Sequence, residues 1–472
     1  MDVYSTDDLP VVVIGAGPVG LAAAAHLLER GLEPLVFEAG DRPGAAVRAW
    51  GHVRLFSPWE YDVDAAAARL LEPTGWEFPD PTELPTGTEL VERYLAPLAT
   101  TTPLSSRIRT GTRVVAVSRV GVDKTRTVGR DGRAYLVRTV LDGRVEDLTA
   151  RAVIDASGTW GQPNPLGAAG LPAVGEDRAG RWLAGPLPDV LGGDRSRFAG
   201  RHTLVVGMGH SAANTLLALV DLQQAAPGTQ ITWAIRGRSP ARLYGGGDSD
   251  GLPARGLLGS ELKAAVQSGA ITLLREVTIT GLTPLADPTG QLRVTGTGRD
   301  GASVDLQVHA LAAATGFRPD LGMLREVRLD LDPGVEAPAR LAPLIDPNSH
   351  SCGTVPPHGH RDLAHPDEGF YLVGMKSYGR APTFLLATGY EQVRSIAAAL
   401  AGDTEAADSV QLNLPSTGVC STDLGAREAI ETSGVGFATG SEHGFSAEEP
   451  AVASCCTPAP QPVSVGAPAS SC

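Results

Sequence analysis

The sequence predicts an α/β protein made of two parallel-sheet units, the second inserted between two halves of the first. Three observations carry this prediction. An apolar strand runs into a glycine-rich turn and then an apolar helix at two places, Val11–Gly20 and Thr203–Ala212. A strand ending in small residues occurs once in each unit, at Asp155-Ala156-Ser157-Gly158-Thr159 and at Ala314-Thr315-Gly316-Phe317-Arg318. From about residue 411 Ser, Thr, Gly, Ala and Pro dominate, which marks the end of the folded part and the start of a disordered tail. The two units read as nested Rossmann-like domains. The expected boundaries are 8–165 for the first part of the outer domain and 196–318 for the inner one. They are 319–402 for the return to the outer domain and 411–472 for the tail.

The first unit opens with the buried strand Val11–Ile14. Gly15, Gly17 and Gly20 follow in G-x-G-x-x-G spacing, and an apolar helix runs to His26–Arg30. Gly15 permits the tight turn, Gly17 lets backbone approach a pyrophosphate, and Gly20 lets helix and strand pack closely. The helix N-terminus offers free N–H groups and a dipole that favours negative charge. The next strand, Leu35–Phe37, ends in Glu38, twenty-three residues after Gly15, where an acid accepts hydrogen bonds from an adenosine ribose. The expected ligand is a dinucleotide. A glycine turn without a ligand would not need the strand, helix, second strand and terminal acid together.

Beyond Glu38, Arg48, Trp50, His52, Arg54, Phe56, Ser57 and Trp59 crowd one segment. Hydrogen-bonding and aromatic groups at that density suit a flavin or substrate wall, though a surface loop packed by its own aromatics fits as well. Residues 60–105 carry helical stretches at Asp64–Leu71 and Thr88–Ala99 around a proline-rich link, and read as a small cap. Thr112–Val117 is an alternating strand, which brings Val114 into the candidate cofactor set. A hairpin follows around the turn Asp142-Gly143. The strand Arg151–Ile154 leads to Ser157 and Gly158, whose small size lets the chain pass close to a bound dinucleotide. Gly167–Gly193 reads as a crossing linker.

The second unit repeats the turn as Gly207, Gly209 and Ala212, with Ser211 inside it. Its next strand, Ile231–Ile235, ends not in an acid but in Arg236-Gly237-Arg238. Arginines accept a 2′-phosphate in bidentate fashion where an acid would repel it, so NADPH is expected over NADH. A solvated loop is the plain alternative for these arginines. A loop over 245–256, a helix near Leu257–Gln267 and four strands follow, the last spanning Val304–Ala314 and leading to Gly316. His350, Cys352, His358, His360 and His365 lie in a Pro/Gly-rich loop with no zinc spacing, and are expected to be solvated. The strand Gly369–Gly374 precedes a helix over Ala381–Leu400, whose N-terminus suits an anionic reduced flavin.

Net charge is −14 with no Lys/Arg cluster, which argues against nucleic-acid binding. The acidic start MDVYSTDDLP has no signal-peptide pattern, and no uninterrupted apolar run is long enough to cross a membrane. The first cysteine is Cys352, so a cytoplasmic location is expected. The chain is expected to be a monomer or homodimer.

Two nucleotide units, one nested in the other, resemble the two-dinucleotide-binding-domain flavoproteins. Within these, the segment FAGRHTLVVGMGHSAAN and the paired ASGT and ATGFRP turns resemble bacterial flavin-containing monooxygenases, over about residues 8–402. The sequence departs from that family in having no F-x-G-x-x-x-H fingerprint before the second glycine motif. Met375 and Lys376 follow Gly374 where many relatives carry an aspartate. No Cys-x-x-Cys pair precedes residue 352, unlike the disulfide reductases. The resemblance implies an NADPH-oxidising FAD enzyme that uses molecular oxygen on a small soft nucleophile through a flavin C4a-(hydro)peroxide. It also places Arg54, Ser57, Trp59, Tyr378 and Arg380 around the ring and substrate.

The tail carries the vicinal pair Cys455-Cys456 and the final Cys472. Vicinal tail thiols resemble those of mercuric reductases, and soft thiolates prefer soft ions. Similar bacterial flavoproteins accompany arsenic resistance. Two further readings therefore stand beside the monooxygenase. One is an NADPH-dependent thiol or metalloid reductase using these cysteines; the other is a metalloid-binding, non-enzymatic flavoprotein.

Overall fold

A computed structural model describes residues 8–412, except 245–251, 286–289, 347–354 and 382–383. Two parallel sheets form its frame. The first uses β1 (Val11–Ile14), β2 (Pro34–Phe37), β3 (Ile108–Arg109), β7 (Ala152–Asp155) and β15 (Phe370–Leu372) in the order β15-β7-β1-β2-β3. The second uses β8 (His202–Val206), β9 (Gln230–Ala234), β10 (Thr272–Leu274) and β14 (Ala310–Ala313) in the order β10-β9-β8-β14. β1 and β7 are buried along their whole length, as expected of central parallel strands covered on both faces. Each sheet has an antiparallel three-stranded companion. One is β4 (Arg113–Arg119), β5 (Tyr135–Leu141) and β6 (Arg144–Ala150); the other is β11 (Thr278–Pro284), β12 (Leu292–Thr297) and β13 (Ser303–Val308).

The nesting shows in the strand partners. The chain leaves the first sheet after β7 and completes the second sheet with β14. It then returns with β15, which pairs parallel to β7 from Phe370 opposite Val153 to Leu372 opposite Asp155. Helix α1 (Pro18–Glu29) starts with Pro18, whose fixed φ suits the first turn. It packs against α5 (Leu386–Leu400) and against α2 (Ala65–Leu71) of the cap in one apolar core. α3 (His210–Ala225) and α4 (Pro253–Gln267) pack on the second sheet around Trp233 and Leu262.

Four expectations change in detail. The strand expected over Val304–Ala314 is two strands in different sheets, β13 and β14, separated at His309. The cap helix expected at Thr88–Ala99 runs as Gly87–Leu90, a wider π segment Val91–Leu95 and Ala96–Thr100. The last long helix starts at Leu386, not Ala381. The expected linker Gly167–Gly193 is docked: Gly167 bridges to Ile279, Val174 to Gly281 and Leu183 to Leu311. No helix among the described residues is long and apolar enough to cross a membrane.

Candidate functional site

The carboxyl ends of both parallel sheets open into one cavity of about 1550 Å³. A single small-molecule site usually measures ~300–1,000 Å³, so this space suits more than one ligand. Its wall is mostly apolar and carries both glycine turns and both small-residue exits.

The first turn fits a dinucleotide on its own geometry. Gly15 sits at φ +98°, and a Cβ there would lie 2.8 Å from the Ala156 carbonyl oxygen. Gly17 lines the cavity with nothing within 4 Å of where a Cβ would stand, so that space is left to a ligand. Gly20 does not line the cavity; a side chain there would drive into the Gly15 carbonyl, so its role is packing. Glu38 Oε2 accepts from Ala16 N at 2.8 Å and Oε1 from Gly40 N at 2.7 Å. Those bonds fix the carboxylate at the rim and leave lone pairs for ribose hydroxyls. Val114, Ser157, Gly158 and Gly374 line the same space.

The second turn is built alike. Gly207, at φ +131°, packs against the Ala314 carbonyl, while Gly209 has open space at its Cβ position. Gly207, Gly209, Ser211, Arg236 and Gly316 line the cavity. Ala212 lies buried behind the turn in the core of α3. The N-cap residues of α1, α3 and α5 are Gly17, Gly209 and Leu385; none has a side-chain cap bond, and all three line the cavity. Their first N–H groups are available to anionic ligand atoms.

Besides Gly20 and Ala212, three expected site residues are placed elsewhere. Trp59 is fully buried in the outer core under the Arg93 guanidinium, 5.3 Å from its ring. Tyr378 is buried against His358 and Phe384, and burial pushes its phenol up. Both fill the core because large apolar rings next to a wall bury more area behind it than in it. Arg238 is 88% exposed and pairs with Glu276 Oε1 at 3.2 Å, outside the cavity, so Arg236 alone of the two arginines lines it. Arg54, Ser57 and Arg380 line the wall. Arg54 donates to the Leu84 carbonyl, which ties the wall segment to the cap.

Several groups escaped sequence reasoning. Lys376 Nζ is fully buried and donates to Asp155 Oδ2 at 2.7 Å and to Ser157 Oγ at 3.0 Å. The pair joins the ends of β7 and β15, and Lys376 lines the cavity. The buried Asp155 in turn accepts from Ser157 N and Oγ. Phe56 packs at a tilt against His210, ring centroids 5.1 Å apart, which brings the wall segment of the outer unit against the first turn of α3. Asp62 is fully buried and accepts from Ser57 Oγ at 2.8 Å. Burial pushes its carboxyl up to about 8. Nothing in a lone Asp of the sequence signals this.

The histidines expected to be solvated divide. His358 and His365 are buried, and burial lowers both, His365 to about 4. His358 is held by Gln392 Nε2 at 2.9 Å and the Pro356 carbonyl at 3.1 Å. His350 and Cys352 lie outside the described residues. So do the tail cysteines Cys455, Cys456 and Cys472. Among the described residues no group of three His, Cys, Asp or Glu side chains gathers as a metal site.

Two nested dinucleotide folds around one shared cavity define a flavoprotein oxidoreductase class. The family model for pyridine nucleotide-disulphide oxidoreductases matches residues 12–351, and the chain belongs to that family. The family is one of oxidoreductases that use a pyridine nucleotide. A ferredoxin–NADP reductase of Ralstonia nicotianae is 30% identical over 213 residues, which is 45% of this chain and 47% of that one. The chain thus spans about half the length of that relative. A ferredoxin–NADP reductase of Salinispora tropica is 26% identical over 328 residues, 69% of this chain and 79% of that one. The fold is that of the bacillithiol disulfide reductase Bdr from Bacillus cereus, with TM-score 0.62 and 21% identity over 84% of this chain and 99% of that one. It is also that of a Kutzneria ornithine N-hydroxylase, with TM-score 0.55 and 16% identity over 85% of this chain and 100% of that one.

Proposed function

We propose that the chain is an NADPH-oxidising flavin monooxygenase that inserts one atom of molecular oxygen into a small, soft-nucleophilic substrate. The observation that carries this reading is the chemistry of the wall. Among the described residues lining the cavity there is no cysteine, and the sequence has none before Cys352. Among the described residues electrons have no dithiol in the cavity wall to pass to, which favours a diffusible acceptor such as oxygen. Bound FAD supplies two-electron exchange with NADPH and reaction with oxygen.

The chain's own residues bind, orient and shield. Gly17 and the first N–H groups of α1 hold one pyrophosphate; Gly209, Ser211 and the start of α3 hold the other. Glu38 accepts from ribose hydroxyls, and Arg236 holds the 2′-phosphate. Trp50, Phe56, Phe384 and Met323 line an apolar wall that excludes water from the reacting region. Arg54 and Arg380 lie exposed along the cavity, where they orient a polar group of the substrate.

The test is NADPH turnover under ¹⁸O₂ with a thioether, an amine or a trivalent organoarsenical, followed by product mass. One ¹⁸O per NADPH consumed is expected. Unmodified substrate with NADPH oxidation coupled to an added electron acceptor would overturn it. That second outcome belongs to a reductase, a reading favoured by the similarity to ferredoxin–NADP reductases. For the tail we retain a soft-metalloid role within the cytoplasm. Cys455→Ser with Cys456→Ser is expected to weaken trivalent arsenic binding and to leave FAD content unchanged.

A further inference from the structure

We propose that Ser57 and Asp62 form a proton-transfer pair serving the cavity, with Ser57 facing the reactants and Asp62 storing the proton behind it. Ser57 is in the cavity wall. Its Oγ lies 2.8 Å from Asp62 Oδ1. Asp62 has no exposed surface, and its Oδ2 is buried without a hydrogen-bond partner among the described residues. A structural buried carboxylate normally has both oxygens satisfied or a cation beside it. This one has a single partner, and that partner opens onto the cavity.

The surroundings favour the neutral acid. Tyr390 of α5 donates to the Asp62 backbone carbonyl at 2.7 Å, not to the carboxylate. Tyr94, from the π segment of the cap, donates nothing to Asp62 and accepts from Asp64 N at 3.1 Å. Arg93 of the same segment stacks on Trp59, and Asp64 is engaged by His26 of α1 at 2.9 Å. Among the described residues no lysine or arginine is ion-paired with Asp62, and the only influence opposing its burial is the hydrogen bond from Ser57. An uncompensated charge in that site is costly, so Asp62 holds a proton at neutral pH.

The pair then works as a reversible donor. In the ionised state Ser57 Oγ–H donates to Asp62 Oδ1. In the neutral state Asp62 O–H donates to Ser57 Oγ, and the serine's own O–H is released toward the cavity. This inference rests on the monooxygenase reading for the fate of the proton. NADPH, O₂, substrate and one proton give NADP⁺, oxygenated product and water. The Ser57 proton goes to the oxygen atom that is not inserted and leaves as water. The Asp62 proton moves to Ser57 Oγ, and solvent reprotonates Asp62 before the next turnover.

The experiment uses FAD-loaded full-length chain as wild type, Asp62→Asn, Ser57→Ala and Ser57→Thr. Wild-type turnover should fall as pH rises through about 8. Asp62→Asn and Ser57→Ala should lose that limb and lose about a hundredfold in kcat at pH 7, while Ser57→Thr, which keeps the hydroxyl, retains both. Infrared difference spectra should show a carboxylic-acid C=O band titrating near the same pH in wild type and missing in Asp62→Asn. Should Asp62→Asn bind FAD poorly, the contrast between Ser57→Ala and Ser57→Thr decides. A wild-type pH profile in Asp62→Asn, or equal loss in Ser57→Thr and Ser57→Ala, would overturn the pair. Product free of ¹⁸O with the Asp62-dependent limb still present in NADPH consumption would count against oxygen insertion alone.

Discussion

Gly17 and Gly20 stand three residues apart in one turn, yet their environments predict different losses. A methyl group at Gly17 meets no protein atom, whereas one at Gly20 collides with the Gly15 carbonyl. Gly17→Ala should therefore leave the thermal stability of cofactor-free protein unchanged and raise the FAD dissociation constant about tenfold or more. Gly20→Ala should destabilise the cofactor-free protein itself by about 1–3 kcal/mol, read by denaturant unfolding. The two arginines after β9 separate in the same manner. Arg236→Ala should raise KM for NADPH about tenfold to a hundredfold, and Arg238→Ala should change it little, because Arg238 stands in water beside Glu276. The glycines were legible because a turn that admits no side chain leaves a fixed spacing in the sequence. Trp59 and Tyr378 were misplaced because neighbours in sequence alternate between a cavity wall and the core behind it. Composition alone does not give the phase of that alternation.

Among the elements, the strands around the cavity were legible from their apolar runs, and the break at His309 shows where that signal thins. Ser303–Val308 alternates exposed and half-buried residues, and Ala310–Ala313 is almost wholly buried. The change of period is present in the sequence, but the two runs touch and read as one strand. The cap is tied to α1 by a polar joint. Asp64 caps α2 by accepting from Ala67 N at 2.9 Å and also meets the buried His26 ring. Asp64→Ala should cost about 1–2 kcal/mol through the lost cap alone, and more because His26 is left without its partner. Unfolding of the FAD-loaded protein measures it. The Lys376–Asp155 pair escaped notice because its members are 221 positions apart and meet only when β15 lies beside β7.

Across the whole molecule, two buried groups give stability opposite pH slopes. Asp62 rises from 3.8 to about 8 on folding, so its contribution is lost as pH climbs from about 4 to about 8. His365 falls from 6.5 to about 4, so its contribution is lost as pH drops through that window. Their slopes oppose between pH 4 and 6.5, and above 6.5 the Asp62 decline stands alone at up to about 1.4 kcal/mol per pH unit. Asp62→Asn should therefore raise the melting temperature relative to wild type at pH 9 and narrow that gain at pH 5. The seam between the two halves of the outer unit has a consequence for how the molecule comes into being. β15 closes the first sheet, and the buried Arg130–Asp367 pair bolts the β4–β6 sheet to the segment just before it. A ribosome delivers Arg130 long before Asp367, and meanwhile the inner unit, which carries its own core, emerges complete. The outer half must wait with an open strand edge and an unmatched cation, so nascent chains halted between residues 320 and 366 should be held by chaperones, whereas those released beyond residue 400 should not.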